Sequence, residues 1–315
     1  MLSFASSIRA ANQARKQNPD SIRCLEERLA ADPYDEIIRV KLIGYCWKCE
    51  VEQWLQHVLW LIKHLPEAQI LRTPFAIPGC CAGSAEDQIG QAWKDTLESK
   101  NQSPQVLSNA AYFYSHSYED YAQSLLESAI SLDPRCAEYK YQLYSLLVSS
   151  GQRNPPVDWN GALELCKDCA TMEQSDSVHI INLALLAMEA KGFDLALESA
   201  QKLLKLDSSD FRRVRAAHVA HSVLGRLALA QDKIDDALMR LEMACSSFKQ
   251  ELYPDIRPDL LLPSDLIRRG FLEPVLLYLN SCEPCWPATD PLDESWIDEV
   301  SRRKVPRKWD RIVLL

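Results

Sequence analysis

Glycine is scarce in this chain, with nine residues in 315. No Gly-x-Ser-x-Gly elbow, Walker-type loop, dinucleotide-binding glycine pattern or His-Glu-x-x-His zinc motif occurs. The commonest enzyme signatures are therefore missing, and the chain reads as non-enzymatic, with no cofactor implied. No apolar run approaches the roughly 18 residues that a membrane-spanning helix needs. Positive charge is also in deficit: 35 Lys and Arg against 44 Asp and Glu give a net charge of −9, which argues against general nucleic-acid binding. The first 19 residues lack the apolar stretch of a secretory signal. They carry Arg9, Arg15 and Lys16 ahead of the first acid, Asp20, which suits either the first helix of the fold or an organelle-targeting arm.

What the chain does have is 47% hydrophobic residues in patterns of helical spacing. The clearest block is the 34 residues from Asn101 to Pro134. It holds two helical patterns, a tight turn between them and a terminal Asp133-Pro134, where proline ends the helix and restricts the residue before it. Ala110 lies mid-way along the first helix, and Ala122 and Ala129 lie seven apart on one face of the second. Small side chains at such positions let helix backbones approach closely. Ala122 recurs as Ala162, Ala196 and Ala237, in steps of 40, 34 and 41 residues. The first surplus falls in the turn-rich stretch between Gly151 and Ala162. The second falls in residues 210–217 and predicts a first helix longer by about two turns.

The block resembles a tetratricopeptide repeat, and so do the units beginning near Ser177 and His218. The Leu224-Gly225 pair matches a pair in the first helix of that family. Tyr144 departs from the pattern, standing where a small residue is expected. The resemblance implies an all-α fold, a right-handed superhelical solenoid of helix pairs with an irregular C-terminal cap. It also implies a protein-binding scaffold whose first helices line a concave face. The expected organisation is an N-terminal arm over 1–19, degenerate repeats over 20–100, a repeat core of about four units over 101–250, and a helical cap with a basic tail over 251–315.

Within the degenerate region the spacing predicts a helix stopped at Asp32-Pro33, one ending near Trp47, one over Val51 to Leu65 and one over Ala85 to Leu97. The Pro- and Gly-rich stretch from Leu71 reads as a loop or hinge. In the tail, Ser264 is a candidate N-cap and Gly270 a stop, followed by a helix over Glu273 to Cys282. Trp296, Ile297 and Val300 share one face of a last helix.

Eleven cysteines include the pairs Cys46/Cys49, Cys166/Cys169 and Cys282/Cys285 and the adjacent Cys80-Cys81. Two pairs brought together would make a zinc site. However, Cys169 replaces the alanine of sister repeats, so a core role explains it, and no metal is assigned. The odd count suits a reducing compartment, hence a cytoplasmic location. His218 and His221 are three apart on a helix with no carboxylate at helical spacing, which reads as an ordinary pair.

Mapped onto this chain, the family's concave strip comprises Leu107, Ala111, Tyr114, Tyr141, Ser145, Val148, Ile181, Leu185, Met188, Ser222, Arg226 and Leu229, with Asn182 as a ligand-backbone partner. The contacts proposed for a protein partner are Leu107, Tyr114, Tyr141, Ile181, Asn182, Leu185 and Arg226. Only Arg226 among the strip residues is basic, so the carboxylate-clamp mode is not expected. The strip is apolar enough for an amphipathic helix, an apolar peptide or the chain's own C-terminal segment. The basic run Arg302, Arg303, Lys304, Arg307 and Lys308, with Trp309 among it, fits an acidic partner, RNA or the chain's own acidic surface. The two functional readings are thus a protein-interaction adaptor and a regulatory nucleic-acid-associated factor using the basic tail. Partner identity and oligomeric state are not written in the sequence.

Overall fold

The computed structural model describes residues 1–47, 49–78, 84–98, 103–173, 176–206, 211–249, 258–282, 294–306, 309, 311 and 314. These residues are built from sixteen α-helices, and no strand occurs among them. None of the helices is long and apolar enough to cross a membrane. The chain forms two compact units, residues 1–146 and 147–315, with the division falling inside helix α8 (Ala137–Arg153).

The first unit begins with α1 (Phe4–Ala14), α2 (Pro19–Ala31), α3 (Glu36–Cys46) and α4 (Val51–His64). Their starts follow local chemistry. The Ser3, Asn18 and Asp35 side chains accept from backbone N–H groups of the first turns, and Pro19 opens α2 where its missing N–H costs nothing. Residues 4–14 of the stretch expected to be an arm are thus helical, and α1 packs on α3 with Ser7, Ala11 and Ala14 buried. The contact is backbone to backbone: a Cβ on Gly44 would collide with the Ala11 main chain. Ile22, Leu25, Leu29, Ile38 and Leu42 form an apolar cluster between α2 and α3.

After α4 come two 3-10 turns, Gln69–Arg72 and Pro74–Ala76. The stretch expected to be a loop or hinge is, over its described residues, non-helical apart from these turns and is fastened down at its start: Ile70, Leu71, Phe75 and Ala76 are buried, and Trp54 Nε1 donates to the Phe75 carbonyl at 2.6 Å. The prolines end helices in this stretch, but its apolar side chains fasten it down. Cys80 and Cys81 lie outside the described residues. Helix α5 (Ala85–Leu97) takes the predicted bounds, and α6 (Pro104–Tyr114) and α7 (Glu119–Leu132) form the 34-residue pair.

The second unit holds α9 (Trp159–Met172), α10 (Ser177–Glu189), α11 (Phe193–Leu204), α12 (Phe211–Ala230) and α13 (Ile234–Lys249). The cap follows as α14 (Leu261–Arg268), α15 (Leu272–Cys282) and α16 (Glu294–Ser301). At 20 residues, α12 exceeds the 13 of α10 by the predicted two turns. In both units the repeating alanines are fully enclosed: Ala110, Ala122, Ala129, Ala162, Ala196 and Ala237 are 0% exposed, as is Cys169. Tyr144 is also 0% exposed, its ring edge-on to Tyr141 with centroids 5.3 Å apart. The fold is therefore all-α, built of tetratricopeptide-like helix pairs.

The turn between α10 and α11 takes its left-handed residue from Lys191 (φ 60°). Gly192 N–H returns to the Ala187 carbonyl at 2.8 Å, closing the helix end, and Gly192 then caps α11. Asp232 (φ 60°) and the Lys233-to-Ala228 bond repeat this device between α12 and α13. Ser264 does not cap α14; it lies inside the helix, buried, because Pro263 is accommodated in the first turn and the helix starts three residues earlier. The Asp259 carboxylate accepts from Leu261 N–H at that start.

Adding the missing methyl at Gly44 tests the first packing contact. Gly44→Ala should push α1 off α3 and cost about 1–3 kcal/mol, lowering the melting temperature and deprotecting the amides of residues 4–14 in hydrogen exchange. Unchanged melting and protection would remove α1 from this position.

Candidate functional site

The strip expected to meet a partner is closed by the chain itself at most of its length. Leu107, Tyr114, Ile181, Asn182 and Leu185 are 0–4% exposed. Tyr114 shows why: its hydroxyl donates to the Gly90 carbonyl at 3.0 Å, and its ring packs against Tyr118 and Tyr121. Tyr141 remains half-buried, and Arg226 is nearly enclosed.

In the second unit the strip positions on α12 are engaged by residues 259–269. Ser222 Oγ donates to Asp259 Oδ2. Arg226 donates from Nη1 to Glu189 Oε1 and from Nε to Asp265 Oδ2, each at 2.7 Å. Burial alone would weaken the guanidinium's charge, but Glu189 and Asp265 outweigh it and hold its pKa above the ordinary value. Arg269 Nη2 donates to the Leu229 carbonyl at 2.8 Å, a second donor on an acceptor at the end of α12 that also takes Asp232 N–H at 3.0 Å. Leu262 fills the space that a side chain at position 225 would occupy, which is why the Leu-Gly pair ends in glycine.

His218 anchors the same arrangement. Its Nδ1 donates to the Ala244 carbonyl of α13 at 2.9 Å, and its Nε2 accepts from Asp259 N–H at 2.8 Å. Those two bonds fix one neutral tautomer. Tyr278 of α15 stacks on the ring at 6.2 Å and donates from its hydroxyl to the Asp259 carbonyl at 2.8 Å. One histidine thus ties together α12, α13, the start of the cap and α15. Burial lowers its pKa to about 4, opposed by the Ala244 bond and by Asp259 and assisted by Arg215 and His221. Sequence spacing alone makes His218 an ordinary pair member, because its partners lie 26 to 60 residues away.

In the first unit, α6 and the first part of α8 share a partly open face. Ser108 Oγ donates to Gln142 Oε1 at 2.8 Å. Asn109 Nδ2 donates to the Pro66 and Ala68 carbonyls, so the segment before the 3-10 turns closes the adjoining side. Tyr112 and Tyr141 lie half-buried on this face. Burial pushes the Tyr112 phenol up to about 12, with Tyr141 contributing, and burial also raises Tyr141. Both remain hydroxyl donors across the physiological range.

The buried cysteines behave as core or donor groups. Cys166 and Cys169 are buried on α9, and the Cys166 thiol faces the His179 carbonyl at 3.6 Å. Cys46 faces Glu50 and Gln53, and burial with Glu50 pushes its thiol up to about 12; Cys49 is exposed. Cys285 lies outside the described residues. One trio was not anticipated from sequence: Glu173, Asp176 and His179 bring potential ligand atoms within 4.8 Å of one another. Its spacing of three and three was the available signal. The same side chains are used structurally, since His179 Nε2 meets Glu173 Oε2 at 2.9 Å and Asp176 caps α10. In the tail, Arg302, Arg303 and Lys304 are exposed. Trp309 is buried in the cap core, edge-on to Trp296 at 5.6 Å. Arg307 and Lys308 lie outside the described residues.

No protein-family model matches the chain, and no curated protein matches it. Among solved structures it is similar to the human IFIT1 dimer with PPP-AAAA at 16% identity and a TM-score of 0.48, over 90% of this chain and 66% of that one. It is also similar to MamA 41-end from Desulfovibrio magneticus RS-1, at 14% identity and a TM-score of 0.46, over 62% and 97% of the two chains. A third is YrrB, a TPR protein with an unusual peptide-binding site, at 14% and 0.41, over 68% and 99%. The helix-pair reading of the fold rests on the packing described above.

Acid should open the cap. A histidine held neutral stabilises fully above its unfolded pKa near 6.5, and that contribution is lost as pH falls toward about 4. His57, lowered to about 4 by burial and Arg39, and His221, lowered by burial and Arg240, act in the same direction. The expected outcome is a loss of up to about 3 kcal/mol for the His218 part between pH 7 and pH 4. Melting curves should show it, together with greater accessibility of the buried Cys245 and Cys282 thiols at pH 4 than at pH 7. A flat response of both thiols over this range would contradict the buried neutral ring.

Proposed function

We propose that this protein is a non-enzymatic interaction scaffold whose first-helix faces take a helix or extended peptide of a partner protein. The observation that carries this reading is the occupation of α12. All three strip positions mapped there, Ser222, Arg226 and Leu229, receive a leucine-rich segment (Asp259 to Arg269) that carries two acids and two arginines, through carboxylate, guanidinium and carbonyl contacts. A face that holds its own amphipathic helix this way has the chemistry of a peptide-recognition surface.

For a partner in trans, the open face of α6 and α8 in the first unit is the better-suited seat. Tyr141 and Tyr112 supply flat apolar area with hydroxyl donors, and Ser108 holds Gln142 in place. Leu107 and Tyr114 of α6, like Ile181, Asn182 and Leu185 of α10, are enclosed and serve the packing of their own helices. Arg226 serves the cap contact. Arg302, Arg303 and Lys304, with Arg307 and Lys308, add a contact for an acidic partner. The free thiols among the described residues suit operation in the reducing cytoplasm.

Affinity capture with wild type and Tyr112→Ala/Tyr141→Ala tests the seat. Helical content should be unchanged, and at least one protein should fall at least tenfold in the captured set and bind purified wild type directly. An identical captured set would move partner binding off the α6–α8 face.

A further inference from the structure

We propose that Arg39 of α3, with the aromatic side chains around it, forms a binding site for a small carboxylic acid that carries an aromatic ring. Arg39 is 6% exposed, yet among the described residues no carboxylate pairs with its guanidinium. Its hydrogen bonds go to neutral groups: Nη2 donates to the Pro33 carbonyl at 2.7 Å and Nη1 to His57 Nδ1 at 3.2 Å. Nε is enclosed and has no hydrogen-bond partner. A guanidinium carries its N–H groups in a planar fork. Nε–H and the remaining Nη hydrogens are therefore left to take an oxyanion side-on.

Buried charges are ordinarily paired, and the other enclosed arginines of this chain follow that rule. Arg72 meets Glu138, and Arg226 meets Glu189 and Asp265. At Arg39, burial lowers the pKa to about 10 with no carboxylate opposing it. The guanidinium lies over the Trp60 ring, 3.6 Å from its centroid. A cation–π contact of this kind offsets part of the cost of burial but does not neutralise the charge.

The surroundings define the charge and shape of the ligand. His57 is held neutral by burial and by Arg39 itself, which lower its pKa to about 4. Arg39 and His57 together therefore carry one positive charge, and a carboxylate balances it one for one. A phosphate monoester, at about −1.5 to −2 near neutral pH, would leave negative charge uncompensated beside them. Trp60 is half-buried, Tyr34 is 62% exposed and His64 is exposed. Tyr34 stands edge-on to Trp60 at 5.2 Å, and His64 lies tilted against Trp60 at 4.6 Å. Three rings in mutual contact at the surface suit a flat apolar group. An enclosed guanidinium against a half-buried ring sets the ligand's carboxylate inward and its ring outward. Entry asks the largely exposed Tyr34 ring to turn aside.

Titration of the isotope-labelled full chain with phenylacetate, read at the Arg39 Nε–H resonance, tests the site in wild type. The resonance should move downfield to saturation, with a dissociation constant of roughly millimolar order for so small a ligand. Phenylacetamide, which keeps the ring and lacks the charge, should bind at least tenfold more weakly, and phenyl phosphate at least threefold more weakly. Tyr34→Ala lies in an exposed turn and should keep wild-type helicity. It should weaken phenylacetate at least threefold and leave acetate unchanged. An Nε–H resonance that does not respond across the millimolar range, equal binding of phenylacetamide, or tighter binding of phenyl phosphate would each overturn the proposal. So would a Tyr34→Ala chain that binds phenylacetate as wild type does.

Discussion

Close backbone approach at helix crossings is the constraint from which the rest of this structure follows. A two-helix repeat has no globular interior of its own, so it must bury its faces against neighbours. The fully enclosed alanines, Ala110 and Ala122 in the first unit and Ala162, Ala196 and Ala237 in the second, mark where side-chain volume has been removed to permit this. Where even a methyl is too large, glycine takes over: Gly44 against the Ala11 main chain, and Gly225 beneath Leu262. Larger residues are admitted where a neighbour leaves a slot, as the buried ring of Tyr144 beside Tyr141 shows.

Tight crossings leave the first-helix faces to be finished by something else, and each unit solves this with an irregular segment. In the first unit the stretch leading into the two 3-10 turns is held by Asn109, and the turns themselves by Trp54. In the second the cap is held by His218, Ser222 and Arg226. Both solutions place a polar side chain of a helix onto backbone groups that no regular ladder could satisfy. The polar interruptions in an otherwise apolar strip therefore have a structural origin. Asn109 and His218 are where the helical scaffold grips non-helical chain.

This explains what could and could not be read from the residues. Helix bounds such as Ala85–Leu97, the extra turns of α12 and the stop at Gly270 were legible because caps, breakers and period-3.6 patterns act within a few residues. The buried Ser264 was not, because a serine signal names a candidate cap while the start of the surrounding helix decides the outcome. The packing of Leu71 to Ala76 was also missed: proline content announces the end of a helix but says nothing about whether apolar side chains in the break find a core.

The candidate site suffers the same limitation in a stronger form. Ser222 and Arg226 were picked out as strip residues from repeat register alone, but their partners Asp259 and Asp265 lie 37 and 39 residues further on. Residues that line a repeat's inner face and residues that bury it obey one periodicity. Pattern therefore locates the face without saying whether a partner or the chain itself fills it. The acids of the cap are positioned against a serine and an arginine and raise the guanidinium's hold on its proton, so they are satisfied within the chain. On α6 and α8, Tyr112 and Tyr141 are only half-buried, whereas the α12 positions are enclosed by the cap; accessible surface, not apolarity, is what separates the two faces.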